Sequence, residues 1–410
     1  MAAVEASVTM NAPPSRMAPA GGRILAIDGL RGAIMMLMAI DHIRDYVNRS
    51  AMLFPPTDLE RTTAAIFFTR WITHFCAPVF AFTAGLGAYF WGRRRTKAQL
   101  SRFLVTRGLW LMVLEVTVVR FIMFLDFRFT QAFFILTVFW MLGLSMVLLA
   151  ALVHLPARLL TVLSLAAVAG HNLLDGIQAA QFGHAAWVWN ILHQLGVFSV
   201  LGDKVIMPYP LIPWVAVMCL GYCLGPVFSW EDARRQRFLL RLGMGLSAGF
   251  VLLRAINIYG DPAPWSHQRS GLFTVLSFLN TTKYPPSLDF LLMTLGPALV
   301  ALAYLERAPL SFANPLIVFG RVPFFYFLLH MSLAHAVAIA MNFVRYGHTN
   351  FLFIPSPSMG GDMKIFPANF GFSLWVVYAV WIGAVAALYP VCRWYAQVKQ
   401  RRRDWWLSYL

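Results

Sequence analysis

Residues 23–45 read RILAIDGLRGAIMMLMAIDHIRD, an apolar segment interrupted by charged side chains that membrane helices rarely carry. A helix advances by about 100° per residue, so Arg31 and His42 return to within about 20° of each other. Asp28 falls on the same side, and Arg31 and His42 are roughly 16 Å apart along the helix axis. The pattern predicts a polar stripe that faces a bundle interior or a wet cavity. The alternative is a buried structural ion pair between Asp28 and Arg31.

The composition is typical of a membrane protein. Of the 410 residues, 59% are hydrophobic and 12% are charged, whereas soluble domains carry about twice that share of charge. We therefore expect an all-α fold, a polytopic helical bundle in which about ten transmembrane helices cross a hydrocarbon core of roughly 30 Å. The ten predicted spans lie near residues 24–47, 63–91, 104–124, 131–153, 158–178, 207–228, 237–258, 285–305, 315–342 and 371–395.

The distribution of positive charge predicts the orientation of this bundle. The basic runs at 93–97 and 401–403 fall on the same side of the ten spans, and Lys and Arg hold short loops in the cytoplasm. We expect both termini there, with a disordered tail at 1–22, a transmembrane domain at 23–396 and a basic tail at 397–410. The N-terminal tail lacks the features of a cleaved signal peptide.

Neither a nucleic-acid partner nor a metal site is predicted. The net charge of +16 is explained by the membrane topology. Cys219 and Cys223 lie one helical turn apart, but no His or further Cys is near enough in sequence to complete a tetrahedral zinc site. A long outer loop contains four irregularly spaced residues that could bind a metal, namely His171, Asp175, His184 and His193.

Two sets of motifs carry a resemblance to known enzymes. Residues 27–32, IDGLRG, followed by His42 after ten intervening residues, are similar to the Arg-x10-His signature of integral-membrane acyltransferases of the acyltransferase-three type. Three further stretches look closer to the bacterial relatives of heparan-α-glucosaminide N-acetyltransferase. They are RGLWLMVLE at 107–115, PLIPW and LGY within 210–222, and TKYPPSLD at 282–289. GRVPFFYFLLH at 320–330 also resembles the late Tyr-Leu-x-His element of such enzymes. The likeness runs from about residue 23 to residue 395.

The resemblance implies that 23–396 is an acyltransferase domain in the inner (plasma) membrane of a bacterial cell. It implies transfer of an acyl group, expected to be acetyl, from cytoplasmic acetyl-CoA as co-substrate to an extracytoplasmic acceptor, expected to be a carbohydrate. The lysosomal enzyme of this family has a different residue where this chain has His42. Its glucosaminide substrate is therefore not carried over.

Within this interpretation, each residue of the polar stripe has a predicted role. Arg31 is expected to bind the donor through its planar fork of N–H groups, with Asp28 holding that fork in place. His42 is expected to be the general base, because the ordinary pKa of an imidazole suits proton transfer near neutral pH. Asp45, one turn further on, is the carboxylate better placed to orient the imidazole, and Asp41 points elsewhere. The alternative for His42 is an interfacial histidine that caps a helix end.

Other polar residues are weaker candidates. Glu115 is a catalytic candidate inside the third span, or it forms a salt bridge with Arg31 or Arg70. Acceptor binding is expected from four residues, namely Lys283, Tyr284, Ser287 and His330. For the first three the alternative is a helix-start turn with a snorkelling Lys, and for His330 it is a satisfied core imidazole.

Two other classes of function compete with the enzyme. A permease or flippase would use Asp28, Arg31 and Glu115 as a proton or substrate relay, but matching broken helices in two halves are missing from the sequence pattern. A membrane scaffold without catalysis is the third option. The sequence does not specify the acceptor, O- or N-acylation, the acyl length, a covalent intermediate or whether the chain forms a homo-oligomer.

Overall fold

The computed structural model describes residues 24–127, 133–200, 202–355 and 362–402, together with residues 404 and 407. The predicted tail at 1–22 lies outside these residues, as does part of the predicted tail at 397–410. The helices of the described part are α1 (Leu25–Val47), α2 (Arg49–Leu53), α3 (Ala64–Trp71), α4 (Cys76–Gly92), α5 (Lys97–Leu114), α6 (Arg120–Phe124), α7 (Val138–Leu152), α8 (Ala157–Gly170), α9 (Ala186–Leu192), α10 (Leu211–Leu224), α11 (Asp232–Ile256), α12 (Gly271–Leu279), α13 (Leu288–Leu305), α14 (Pro315–Arg321), α15 (Pro323–Tyr346) and α16 (Leu374–Arg401).

The protein is a multi-pass helical membrane protein. Within the described residues, seven helical segments are long and apolar enough to cross a bilayer. They are Ala64–Gly92, Ala157–Leu174, Leu211–Ser229, Asp232–Ile256, Leu288–Leu305, Pro323–Tyr346 and Leu374–Arg401. The ten-span prediction adds α1, α7 and the α5–α6 segment, so the count of ten and the position of the termini stay predictions.

Helix α1 lies at the centre of the bundle, where it packs against α4, α13, α14, α15 and α16. Its contact with α14 depends on two glycines. A Cβ added to Gly32 would overlap the backbone of Leu316, and one added to Gly320 would overlap the carbonyl of Asp28. Small residues let membrane helices approach this closely. The contact fixes the end of α1 that carries Asp28 and Arg31.

A small sheet corrects the all-α prediction. Strand β3 (Asp203–Met207) lies in the middle, parallel to β1 (Phe133–Ile135) and antiparallel to β2 (Gly196–Val200). Short runs of Val, Ile and Phe cannot be distinguished from helix by periodicity, which is why the sequence did not reveal them. The predicted span at 131–153 accordingly begins in β1, and its helix α7 has only 15 residues.

The predicted span at 315–342 consists of two helices. Helix α14 ends at Arg321, Val322 leaves the helical conformation (φ −128°, ψ 47°), and α15 begins at Pro323. Proline lacks the N–H that a continuous helix needs but fits the first position of a new one. The break sets the start of α15, which places His330 two turns into that helix, beside α1.

Candidate functional site

The imidazole rings of His42 in α1 and His330 in α15 form a hydrogen-bonded pair. His42 Nδ1 lies 2.7 Å from His330 Nε2, and the two rings are nearly parallel, with 14° between their planes. His330 is fully buried and stacks on Tyr326, whereas Phe327 packs edge-on against His42. The rings are therefore held in place by their neighbours.

The hydrogen bonds around His330 determine which nitrogen of each neutral ring carries the proton. His330 Nδ1 lies 2.9 Å from the carbonyl oxygen of Tyr326, which can only accept, so Nδ1 donates. His330 Nε2 is then an acceptor, and His42 Nδ1 donates to it. His42 Nε2 is left with a lone pair and has no partner among the described residues. An imidazole in this state can accept a proton.

Four charged side chains form a chain of ion pairs next to His42. Arg70 pairs with Asp41 through Nη1 and Oδ2, and Arg44 Nη1 lies 2.7 Å from Asp41 Oδ1. Arg44 Nη2 donates to Asp45 Oδ1 at 2.6 Å. Two arginines and two aspartates give this chain no net charge. Asp45, the carboxylate predicted to orient His42, thus pairs with Arg44, and the ring partner of His42 is His330.

A cavity of about 780 Å³ opens beside these groups. Its volume lies in the range of small-molecule sites. The polar residues on its wall are Asp41, His42, Arg44, Asp45, Thr57, Arg70, Thr73, Thr137, Lys204, Tyr209, Lys283 and Tyr284. Neither Lys204 nor Lys283 has a carboxylate at ion-pair distance within the described part of the chain, so the cavity carries an excess of positive charge.

Two tyrosines form one side of this cavity. Tyr284 packs edge-on against Tyr209 with ring centroids 5.2 Å apart, and Lys283 lies 5.3 Å from the Tyr284 ring. Burial acts to raise the pKa of the Tyr284 phenol, but the charges of Lys283 and Arg70 outweigh it, so the pKa falls below its ordinary value. The phenol is therefore a strengthened hydrogen-bond donor.

A second, smaller cavity of about 70 Å³ adjoins His42. Apart from His42, Asp45 and Tyr46, its wall consists of apolar side chains, namely Met52, Met123, Phe124, Met331, Phe351, Leu352, Ile354 and Phe366. The imidazole thus lines both a polar cavity that could hold a sugar and an apolar cavity with room for a methyl or ethyl group.

The residues predicted to bind the donor lie near the other end of α1. Arg31 Nη2 donates to the carbonyl of Thr83 in α4 at 3.0 Å, and Arg31 Nη1 lies 3.6 Å from Asp28 Oδ1. Asp28 is buried, whereas 22% of the Arg31 side chain is exposed. Neither residue is among those that line the His42 cavity. The structure therefore separates Arg31 from His42, as the spacing on one helix predicts.

Comparison with known protein families shows to which family the chain belongs. Residues 23–253, more than half of the sequence, match the family described as heparan-alpha-glucosaminide N-acetyltransferase, catalytic. The chain belongs to this family. The sequence resemblance to it is thereby confirmed, and the protein is a transmembrane acetyltransferase by class. No curated protein gives a significant match to the chain.

The matched region of this heparan-alpha-glucosaminide N-acetyltransferase family member includes α1, with Arg31 and His42, and the candidate Glu115. It ends in α11, before Lys283 and His330. The polar stripe of the first helix therefore lies inside the family match, whereas the groups that face His42 from α15 and from the segment before α13 lie beyond it.

Glu115 directly follows α5, and its carboxylate contacts the start of α7 instead of Arg31 or Arg70. Its Oε1 accepts from Thr137 N at 3.0 Å and from Thr137 Oγ1 at 2.6 Å. Its Oε2 accepts from the backbone N–H groups of Phe139 (3.0 Å) and Trp140 (3.3 Å). An anionic side chain is favourable at a helix N-terminus. We therefore revise the role of Glu115 from catalysis to capping.

This capping role gives a testable difference between stability and turnover. Replacing Glu115 by Ala leaves three backbone N–H groups and a hydroxyl without their acceptor, so we expect the free energy of unfolding to fall by about 1–3 kcal/mol. Thermal unfolding in detergent measures this loss, and Glu115→Gln, which keeps an acceptor oxygen, should lose less. Turnover per folded molecule should stay close to wild type. A loss of 100-fold in turnover at unchanged stability would restore the catalytic role.

Two of the residues predicted to bind the acceptor have other contacts. Ser287 is fully buried, donates to Asp261 Oδ2 at 2.6 Å and accepts from Phe290 N at 3.0 Å, so it caps α13. His330 lies behind His42 and not on the cavity wall. Lys283 and Tyr284 do line the cavity. Ser287 is thus the N-cap of α13, and His330 contacts His42 instead of the cavity.

Several residues of the site were not identified from the sequence. Arg70 lies within an apolar helix. Because an unpaired charge is energetically costly there, its position already indicates a buried partner. That partner is Asp41. Tyr326 and His330 have the i, i+4 spacing that brings two residues onto one helix face. The sequence pattern did not indicate Lys204 or Tyr209 as site residues, because the sheet and the loop that follows it bring them to the cavity.

Proposed function

We propose that the protein transfers an acetyl group from acetyl-CoA to a hydroxyl or amino group of an extracytoplasmic carbohydrate, with His42 as general base. Family membership supports the acetyltransferase class. The observation that carries the finer proposal is the chain of hydrogen bonds from His42 through His330 to the Tyr326 carbonyl. It leaves His42 Nε2 as the ring nitrogen that can take a proton from an acceptor in the cavity.

The proposed reaction is a single acyl transfer. His42 Nε2 takes the proton of the acceptor hydroxyl or amine while its oxygen or nitrogen attacks the thioester carbonyl. The C–S bond then breaks, and the proton passes from His42 to the leaving thiolate of coenzyme A. Lys283, which lines the same cavity, is the cation available to stabilise the negative charge that develops on the carbonyl oxygen.

Of the charges near His42, the two carboxylates favour the proton-transfer step, whereas Arg44 and Lys283 oppose it. Asp41 and Asp45 are held close to the imidazole by Arg44 and Arg70. Fixed carboxylates stabilise the imidazolium that forms when the proton arrives. Because the four charges are already paired, they need no rearrangement during the reaction, which is the property of a preorganised site.

The two cavities support the choice of substrates. A large cavity with tyrosine rings, lysines and hydroxyl groups offers the mixture of stacking and hydrogen bonding that a sugar requires. The apolar cavity beside His42 has a volume of about 70 Å³. It has room for the methyl group of an acetyl thioester. We therefore propose acetyl as the transferred group.

The donor is proposed to enter from the Arg31 end of α1, which the charge pattern predicts to be cytoplasmic, in the inner membrane of a bacterial cell. The extended pantetheine arm of coenzyme A would then span the roughly 16 Å between Arg31 and His42. Asp28 and the Thr83 carbonyl contact the guanidinium, and we propose that this guanidinium binds the phosphates of the donor.

We expect Arg31→Lys to weaken acetyl-CoA binding by roughly 1.5–3 kcal/mol, because an ammonium keeps the charge but loses the planar fork. Isothermal titration of detergent-purified protein measures this change. The Thr83 contact is to a backbone carbonyl, so Thr83→Val serves as the matched control and should bind like wild type. Unchanged acetyl-CoA affinity in Arg31→Lys would remove Arg31 from the donor site.

No contact in the described structure favours the permease or flippase. That hypothesis needs Asp28, Arg31 and Glu115 to form one relay. The four hydrogen bonds that Glu115 accepts come from Thr137, Phe139 and Trp140, at the N-terminus of α7. The proposed relay thus lacks one of its three groups.

The direct test incubates detergent-purified protein with [¹⁴C]acetyl-CoA and two kinds of acceptor. Extracted envelope glycans offer hydroxyl groups, and a glucosamine oligosaccharide offers an amine. We expect label on one of them with wild type and labelling that is lower by about 10²-fold or more with His42→Gln, which keeps the size of the side chain. If no glycan is labelled and reconstituted vesicles take up substrate instead, the transporter is the better interpretation.

A further inference from the structure

Three potential metal ligands converge at a place that the proposed reaction does not use. His171 begins the 3-10 turn that follows α8, Asp175 comes directly after this turn, and His193 follows α9. One ligand atom from each residue lies within 4.8 Å of the other two. None of the three residues is among those that line the His42 cavity. The sequence placed these three residues and His184 in one loop, but their irregular spacing could not show that three of them converge.

The ring nitrogens of this cluster lack hydrogen-bond partners. His171 and His193 are each only 2% exposed. Both nitrogens of His171 and Nδ1 of His193 are buried with no partner among the described residues. Buried polar atoms are almost always hydrogen-bonded or bound to an ion, so these unpartnered nitrogens require an explanation. A metal ion bound by His171 would give one of the two nitrogens of that ring a partner.

We propose that His171, Asp175 and His193 bind a zinc-type divalent metal ion. Two imidazoles and a carboxylate are the ligand set of several zinc sites, with a fourth position left for water. His193 Nε2 lies 3.1 Å from Asp175 Oδ1, close to the roughly 3.3 Å between ligands on a tetrahedral zinc ion. The remaining ligand atoms need only small side-chain shifts to close on the ion.

The residues around the cluster orient its ligands and leave a route for an ion. Asn172 Nδ2 donates to Asp175 Oδ2 at 2.7 Å, and its Oδ1 accepts from Leu288 N at 2.9 Å. Partners of this kind orient a metal-binding carboxylate. Trp189 packs against the His193 ring. The side chain of Asp175 is 20% exposed, which gives the ion a route into the site. Imidazole ligands favour zinc over magnesium or calcium.

The metal would have a structural role in the outer part of the site. It would connect the end of α8 to the segment between α9 and β2. Leu195 and Val197, two and four residues after His193, line the His42 cavity. Fixing His193 therefore fixes part of the wall that meets the acceptor. The ion itself takes no part in acyl transfer, so the proposed metal site can be tested independently of the role of His42.

The test measures zinc in the purified full-length protein after any polyhistidine tag is removed. Protein treated with EDTA and dialysed against Zn²⁺ should hold one equivalent of zinc by mass spectrometry. His171→Ala and His193→Ala should lose this equivalent. His184→Ala removes an exposed histidine of the same segment and should bind like wild type. Asn172→Ala should weaken zinc affinity by about 10–100-fold.

A second measurement covers variants that fail to fold. Zn²⁺ should raise the Tm of EDTA-treated wild type, because a ligand that binds only the folded state stabilises it. Asp175→Asn keeps the shape of the side chain and should lose most of that shift. The proposal is overturned if wild type takes up no zinc or shows no shift in Tm. It is also overturned if His171→Ala or Asp175→Asn binds zinc as tightly as wild type.

Discussion

His42→Ala is expected to lower acetyl transfer by about 10²–10⁴-fold, the contribution typical of a positioned general base. His42 Nε2 is the ring nitrogen left open by the His330 contact, and no other imidazole lines the cavity among the described residues. Steady-state transfer of label from [¹⁴C]acetyl-CoA measures the loss. Affinity for acetyl-CoA should be retained, because the donor is proposed to be held from the Arg31 end.

The pH profile separates chemistry from misfolding in this experiment. A base must be neutral to accept a proton, so wild-type kcat/KM should fall as the pH drops through the pKa of His42, and rise to a plateau above it. An ordinary imidazole has a pKa near 6.5. The acid limb should be missing from the residual activity of His42→Ala. A folded His42→Ala protein with wild-type turnover and the same acid limb would exclude His42 as the base.

The second large effect is expected from His330→Leu. This change removes the acceptor for His42 Nδ1–H, so the His42 ring loses the contact that sets its tautomer and orientation. Loss of a tautomer-setting partner has cost about 10⁴-fold in a serine protease. We expect a decrease of roughly 10–10³-fold in kcat here, because Phe327 still packs against His42. Stopped-time assays with saturating donor measure kcat directly.

A positioning role for His330 has a different signature from a structural one. The acid limb should persist in His330→Leu, because His42 is still the group that titrates. His330→Gln offers an amide oxygen that can accept from His42 Nδ1, so it should recover part of the lost kcat. The assignment fails if His330→Gln and His330→Leu are equally impaired while their Tm values equal that of wild type.

The sequence predicted the features that depend on one helix. Helix periodicity placed Asp28, Arg31 and His42 on a common stripe of α1, and the structure shows Asp28 and Arg31 in contact. It could not predict that His330 meets His42, because 288 residues separate them and their contact depends on how α15 packs. The neighbour chosen for His42 was Asp45, three positions further on. Local spacing could not show that Arg44 binds this carboxylate.

Other differences arise from contacts that composition does not encode. Glu115 was noticed because a charge inside an apolar helix is costly, but the backbone N–H groups it accepts from belong to α7, 22 to 25 residues later. The strands were missed because three to five apolar residues carry too little periodicity. Pro323 indicated the break between α14 and α15. Because the sequence is apolar on both sides of this proline, a single span was predicted instead.

Transfer across a sealed bilayer tests the central claim most directly. Proteoliposomes would hold [¹⁴C]acetyl-CoA inside and the glycan acceptor outside, with wild type and His42→Gln reconstituted at equal amounts. We expect wild type to place labelled acetyl on the external glycan and His42→Gln to lower this rate by about 10²-fold or more. Equal labelling by both proteins, or labelling only after detergent mixes donor and acceptor, would contradict it.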